Sequence, residues 1–167
     1  HDQYAFDPVK AGYYTAACVF AGSLLRPLGG ALADRIGGIR SLLVMYTVAA
    51  ACLFIVGFNL PSSTAALALF VVAMLSLGAG NGAVFQLVPQ RFNKEIGVMT
   101  GLVGMAGGIG GFLLIAGLGA VKQATGDYQI GLWLFASLGA LAWFGLYGVK
   151  RRWRTTWGSA AMTAARV

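Results

Sequence analysis

The sequence predicts an all-α fold, a polytopic membrane bundle of five transmembrane helices, on three observations. First, 58% of its 167 residues are hydrophobic and only 10% are charged, against roughly 25% charged in an ordinary soluble domain. Second, the apolar residues form long runs, and about 20 of them suffice to cross a hydrocarbon layer roughly 30 Å thick at about 1.5 Å per residue. Third, the runs are continuous. A membrane barrel, the other spanning solution, would alternate every second residue. The same composition excludes disorder, which needs low hydrophobicity, and two cysteines are too few for a disulfide scaffold.

Each span can be justified in chain order. Between Ala11 and Ala33 the one charge is Arg26, which places a first span at about 11–33. Ser41 to Gln90 is 50 residues without a charge, interrupted by the turn-like Asn59-Leu60-Pro61-Ser62-Ser63-Thr64; such a cluster divides the stretch into spans at about 41–58 and 65–90. Ile96 to Val121 adds 26 uncharged residues and Tyr128 to Val149 another 22, giving spans at about 96–121 and 128–149. Residues 1–10 are read as an external loop, and 150–167 as a basic cytoplasmic tail.

Orientation follows from the cations. Placing the 34–40 loop inside gathers Arg35, Arg40, Arg91, Lys94, Lys150, Arg151, Arg152, Arg154 and Arg166 on one side, nine Lys/Arg, and leaves Lys10 and Lys122 on the other. That asymmetry is the positive-inside pattern. The net charge of +7 is therefore topological, and no nucleic-acid partner is implied. His1 is not a start methionine, and residues 1–10 lack the basic start and cleavage site of a signal peptide. An odd number of spans entered from outside leads to the expectation of a fragment whose N-terminal part lies elsewhere.

Arg26 is the most informative residue. Burying arginine near the bilayer centre costs at least about 2.5–3.5 kcal/mol, so it should face protein or a watery cavity. Thr15, Gly22, Arg26, Gly29 and Ala33 recur at helical steps and form one small or polar stripe. No acidic residue lies within any span. A planar guanidinium fork suits oxyanions, so one reading is an anion ligand on a substrate path. The other is an arginine that snorkels to the interface or pairs with an acid elsewhere.

The fourth span carries Gly97, Gly101, Gly104, Gly108 and Gly111 at steps of 4, 3, 4 and 3, widened by Gly107 and Gly110. Glycine costs about 1 kcal/mol relative to alanine inside a helix. Either close helix packing or ligand contact against bare backbone would offset it. A nucleotide loop is excluded, because these glycines sit inside an apolar span with no strand before them. In the third span Asn81 and Gln86 are uncharged polar residues at membrane depth, with Gly78, Gly82, Phe85 and Pro89 on adjoining faces. Buried amides need partners, so each bridges helices or lines a cavity.

Gly30-Ala31-Leu32-Ala33-Asp34-Arg35-Ile36-Gly37-Gly38-Ile39-Arg40 reads as a compact charged loop. It offers an acid to a helix N-terminus and cations to a C-terminus, as a latch or as a plain positive-inside loop. Lys150-Arg151-Arg152-Trp153-Arg154-Thr155-Thr156-Trp157 anchors the last helix at the interface, with lipid recognition as the alternative. Cys18 and Cys52 are read as small core residues. With one histidine in the chain, no metal site or cofactor is expected. No acid–base or nucleophile pair points to an enzyme.

Gly30 to Arg40 resembles the Gly-x-Leu-Ala-Asp-Arg-x-Gly loop of the major facilitator superfamily. Gly78-Ala-Gly-Asn-Gly-Ala-Val-Phe-Gln-Leu-Val-Pro89 and Gly101-Leu-Val-Gly-Met-Ala-Gly-Gly-Ile-Gly-Gly-Phe112 resemble the nitrate/nitrite porter family within it, and Leu25-Arg26-Pro27-Leu28-Gly29-Gly30 is similar to its eighth-helix segment bearing a substrate arginine. The resemblance covers about Phe6 to Val149. It implies that the spans are helices eight to twelve of twelve, the C-terminal portion of a transporter of the bacterial inner membrane. The N-terminal six-helix half, carrying a second substrate arginine, is then the missing partner across an alternating-access cavity.

On that resemblance the expected function is movement of nitrate or nitrite. The expected substrate residues are Arg26, Asn81, Phe85, Gln86, Gly104, Gly107, Gly108 and Gly111, and Gly30, Asp34, Arg35, Gly37 and Arg40 form the conformational loop motif. A carrier of another small anion and a membrane anion sensor that does not transport are the rival readings.

Overall fold

A computed structural model describes residues 7–92 and 94–156. Five helices follow one another: α1 Pro8–Ile36, α2 Gly38–Val56, α3 Ser63–Arg91, α4 Ile96–Thr125 and α5 Gln129–Thr156. All five are long and apolar enough to cross a membrane, and the regular structure of the described residues is helical throughout. The fold is the all-α membrane bundle that the apolar runs predict.

Local chemistry sets the helix ends. α1 opens on Pro8 in its first turn, where the missing N–H costs no intrahelical bond. Ser62 caps α3, its hydroxyl accepting from the Ala65 N–H at 3.4 Å. Gly126 closes α4 in the left-handed conformation at φ 77°, donating to the Lys122 carbonyl at 2.8 Å.

The expected 34–40 loop is almost absent: Gly37 alone, at φ 95°, separates α1 from α2. The apolar run ends before the helix does, because Asp34, Arg35 and Ile36 still form helix once the chain reaches water. Only a glycine takes the positive φ that turns it. For the same reason α5 continues beyond Val149 to Thr156. Of the tail, residues 157–167 lie outside the described residues, as do residues 1–6 of the expected external loop and Asn93 between α3 and α4.

The tightest packing is α1 against α3, which run parallel. A Cβ added to Gly78 would collide with Gly22, one on Gly29 with Ala79, and one on Gly82 with the Arg26 carbonyl. Small residues let these backbones meet, the common solution where lipid removes the hydrophobic drive between helices. Half of the buried hydrophobic residues are alanines, whereas Phe20, Leu24, Leu28, Phe112 and Phe144 are exposed. The central cluster joins Ala33, Leu42 and Ala83, with Tyr46, Val84, Leu87 and Leu146 packed on it. α2 and α5 lie antiparallel, Gly57 meeting Trp133 and Ala50 meeting Gly139. α4 borders α3 and α5 and has no buried residue.

The turns at the far end are tied together. Asn59 Nδ2 donates to Asp127 Oδ2 at 3.1 Å, and Phe54, Phe58 and Trp133 form an aromatic cluster beside it, Phe58 and Trp133 with centroids 5.6 Å apart. The Asn59 hydrogen bond, helped by the Tyr128 and Gln129 N–H groups, holds the Asp127 carboxyl below its ordinary value.

Two outcomes follow from this packing. Gly82→Leu should force α1 from α3 and lower stability by about 1–3 kcal/mol or more, read as a fall in melting temperature in detergent. Asp127 titrates lower when folded than when unfolded, so its contribution to stability is full above about pH 4 and is lost as pH falls through the lowered pKa. Asn59→Ala should move the Asp127 carboxyl back toward its ordinary titration, seen by NMR, and remove most of that acid-side dependence.

Candidate functional site

Arg26 lies eight residues before Asp34, where the apolar run of α1 has ended, about 12 Å along the axis and so well inside a hydrocarbon layer roughly 30 Å thick. Its backbone is fixed by the Gly82 contact on α3, and its side chain is exposed. The acidic groups among the described residues, Asp7, Asp34, Glu95 and Asp127, all sit at or beyond helix ends. None shares the depth of Arg26. The stripe expected on this helix divides. Gly22, Gly29 and Ala33 are buried, whereas Thr15 and Arg26 are exposed, because two backbones in contact leave no room for a larger side chain.

Asn81 and Gln86 have separate fates. Asn81 borders a cavity of about 200 Å³ between α2, α3 and α4, with Tyr46, Ser76, Gly80, Val103 and Gly107 among its lining residues. Gln86 does not line it. Its Nε2 instead donates to Asp34 Oδ1 at the end of α1, and its Oε1 is buried without a partner among the described residues. Gln86, expected among the substrate residues, thus bridges α3 and the charged end of α1, which is the other reading offered for a buried amide here. Five residues from Asn81, or about 140° further round the helix at 3.6 residues per turn, it faces α1 rather than α4.

The glycine face of α4 differs from the close packing offered as one reading of it. A Cβ placed on Gly97, Gly101, Gly104, Gly107, Gly108, Gly110 or Gly111 would meet nothing within 4 Å. Gly107 borders the Asn81 cavity, while Gly104 and Gly108 are exposed and Gly111 half-exposed. Phe85, 38% exposed, lies one turn beyond Asn81 and outside the cavity lining. Among the loop residues, Gly37 makes the break, Asp34 holds Gln86, Gly30 sits against Gly82, and Arg35 and Arg40 are exposed.

Tyr46 and Ser76 were missed in the sequence, although both obey the criterion that singled out Asn81, a polar group at membrane depth. Together the three supply hydroxyls and an amide, neutral groups able to donate and accept. The cation does not line this cavity. The chemistry on offer is therefore the guanidinium of Arg26 within the α1 span and a neutral polar pocket between α2, α3 and α4.

Comparison with known proteins assigns the class. The Major Facilitator Superfamily profile matches residues 1–115, and the chain belongs to that superfamily. It is a multi-pass membrane protein. The chain is similar to the nitrite extrusion protein of Bacillus subtilis (strain 168), 37% identical over 143 residues that make up 86% of this chain and 36% of that protein. It is also similar to the probable nitrate transporter NarT of Staphylococcus carnosus (strain TM300), 33% identical over 158 residues, 92% of this chain and 39% of that protein. The NarT of Staphylococcus epidermidis is 30% identical over 145 residues, 84% and 36% of the two chains. The chain thus spans little more than a third of the length of these curated relatives. No solved structure gives a significant match.

The Asp34–Gln86 bond should be measurable as a coupling. A hydrogen bond to a charged group contributes about 1.5–3 kcal/mol when buried, and exposure of Asp34 brings the expectation to about 1 kcal/mol. A double-mutant cycle of Asp34→Ala and Gln86→Ala, followed by thermal unfolding in detergent, should return that interaction energy.

Proposed function

We propose that this chain is part of a secondary transporter of the nitrate/nitrite porter family that moves nitrate, nitrite or both across the bacterial cytoplasmic membrane. The reading rests on relatives named for nitrite extrusion and nitrate transport. Arg26 supplies its chemistry. Nitrate and nitrite are small planar oxyanions, and a guanidinium presents paired N–H donors in one plane. Inside the hydrocarbon layer the attraction is little screened, so one fixed cation can replace much of the hydration the anion gives up. The role is transport and not catalysis.

In this reading α1 to α5 work with a further set of helices, in keeping with relatives more than twice as long. The open glycine face of α4 around Gly104, Gly107, Gly108 and Gly111 meets them, and its bare backbone lets α4 approach the anion and slide as the halves rock. Asn81 and Phe85 flank the path. The Asp34–Gln86 bond, with Arg35 and Arg40, biases the conformational equilibrium without touching substrate. The cation-rich end of the bundle faces the cytoplasm by the positive-inside rule, and the C-terminus lies there. The one carboxylate inside a spanning helix, Asp34, sits in the last turn of α1, so a coupling proton at membrane depth, if one is used, binds on the partner helices.

Nitrate–nitrite counterflow in proteoliposomes holding the full-length transporter tests the proposal. The parent protein should exchange the two anions. Arg26→Lys, which keeps the charge but loses the fork, should fall below about a tenth of the parent rate, with folding checked by its melting temperature. Normal exchange by a folded Arg26→Lys protein would overturn the ligand role. Exchange of acetate but not nitrate by the parent would overturn the substrate, and saturable nitrate binding without counterflow would identify a sensor.

A further inference from the structure

We propose that the groove between α2 and α5 is a binding site for an anionic glycerophospholipid, its acyl chain in the groove and its phosphate on Arg40 and Lys150. The groove has a volume of about 300 Å³ and is lined by Tyr46, Thr47, Ala50, Ala140, Trp143 and Phe144. It is apolar and lies at membrane depth, within both spanning helices.

The register of the two helices places cations at one mouth. Gly57 meets Trp133, Ala50 meets Gly139, and Leu42 and Leu146 pack on the same cluster. Each step back along α2 is matched by a step forward along α5, so the start of α2 and the end of the α5 span lie side by side. Arg40 is seven residues from Thr47, and Lys150 seven from Trp143. Seven residues is two turns, which returns each cation to the stripe that lines the groove.

The spacing also fits. Two turns span about 10 Å, and the interfacial layer between hydrocarbon and water is on the order of 5–8 Å thick on each side. A chain seated against Phe144 thus carries its phosphate to the level of Arg40 and Lys150. Trp143 and Tyr147 stack between the two levels, rings 5.6 Å apart and 2° from parallel, and such side chains favour the headgroup depth. Arg40 is exposed and Lys150 half-exposed, and the sequence continues with Arg151 and Arg152. An apolar trough with a doubly cationic mouth selects a lipid of negative headgroup over a zwitterionic one.

This site is independent of the transported substrate, and its test contains no nitrate. Native mass spectrometry of the full chain in detergent, titrated with phosphatidylglycerol and phosphatidylcholine of identical acyl chains, measures both affinities. Phosphatidylglycerol should bind about tenfold more tightly. Arg40→Gln with Lys150→Gln should abolish that preference and leave phosphatidylcholine binding unchanged. Arg35→Gln with Lys94→Gln, which removes the same charge elsewhere at that end, should preserve it. Ala140→Trp, which fills the groove, should weaken both lipids. If that variant does not fold, the two charge pairs still decide. Equal affinity for the two lipids in the parent overturns the proposal, and so does an equal loss of preference in both charge variants, which assigns the effect to diffuse surface potential.

Discussion

The backbone contact between α1 and α3 is the constraint on which the rest of the bundle depends. Gly22, Gly29 and Gly30 on one helix meet Gly78, Ala79 and Gly82 on the other so closely that several of these positions have no room for a Cβ. In lipid there is little gain from burying large apolar side chains, because the surroundings are equally apolar. What holds the pair is close van der Waals contact along two bare strips. That contact fixes the rotation of α1 about its own axis. Arg26, whose carbonyl lies on Gly82, is thereby turned outward within the span, and Asp34 is brought level with Gln86.

The same economy explains the composition of the interior. Alanines dominate the buried positions, and phenylalanines and leucines project outward, the reverse of a soluble domain. A small residue at an interface shortens the distance between helices, and a large one pointing outward meets lipid at no cost. α4 is the exception. It is as rich in glycine as the α1–α3 seam, yet its strip of bare backbone stays open and takes no part in the packing of this bundle.

Charge is distributed by the same logic. Apart from Arg26, the charged side chains of the described residues stand at or beyond the span ends, where water and headgroups solvate them. At one end they bracket the groove between α2 and α5. At the other, Asn59 and Asp127 join two turns. Arg26 alone stands away from the span ends.

By itself the amino-acid sequence determined the helix count, the membrane environment, the charge asymmetry and the exceptional standing of Arg26. All of these depend on the local apolar pattern and on the large energy of moving charge into hydrocarbon. Helix ends were less legible, as at Gly37, because apolar runs report the edge of the membrane and not the last helical hydrogen bond. Only the tertiary structure decided which glycines seal a helix pair and which stay open, since the strips on α1, α3 and α4 share one spacing. It also separated Asn81 from Gln86 and brought Tyr46 and Ser76 to the cavity. A partner across a helix interface depends on rotation and register, and these are set by contacts between residues far apart in the chain.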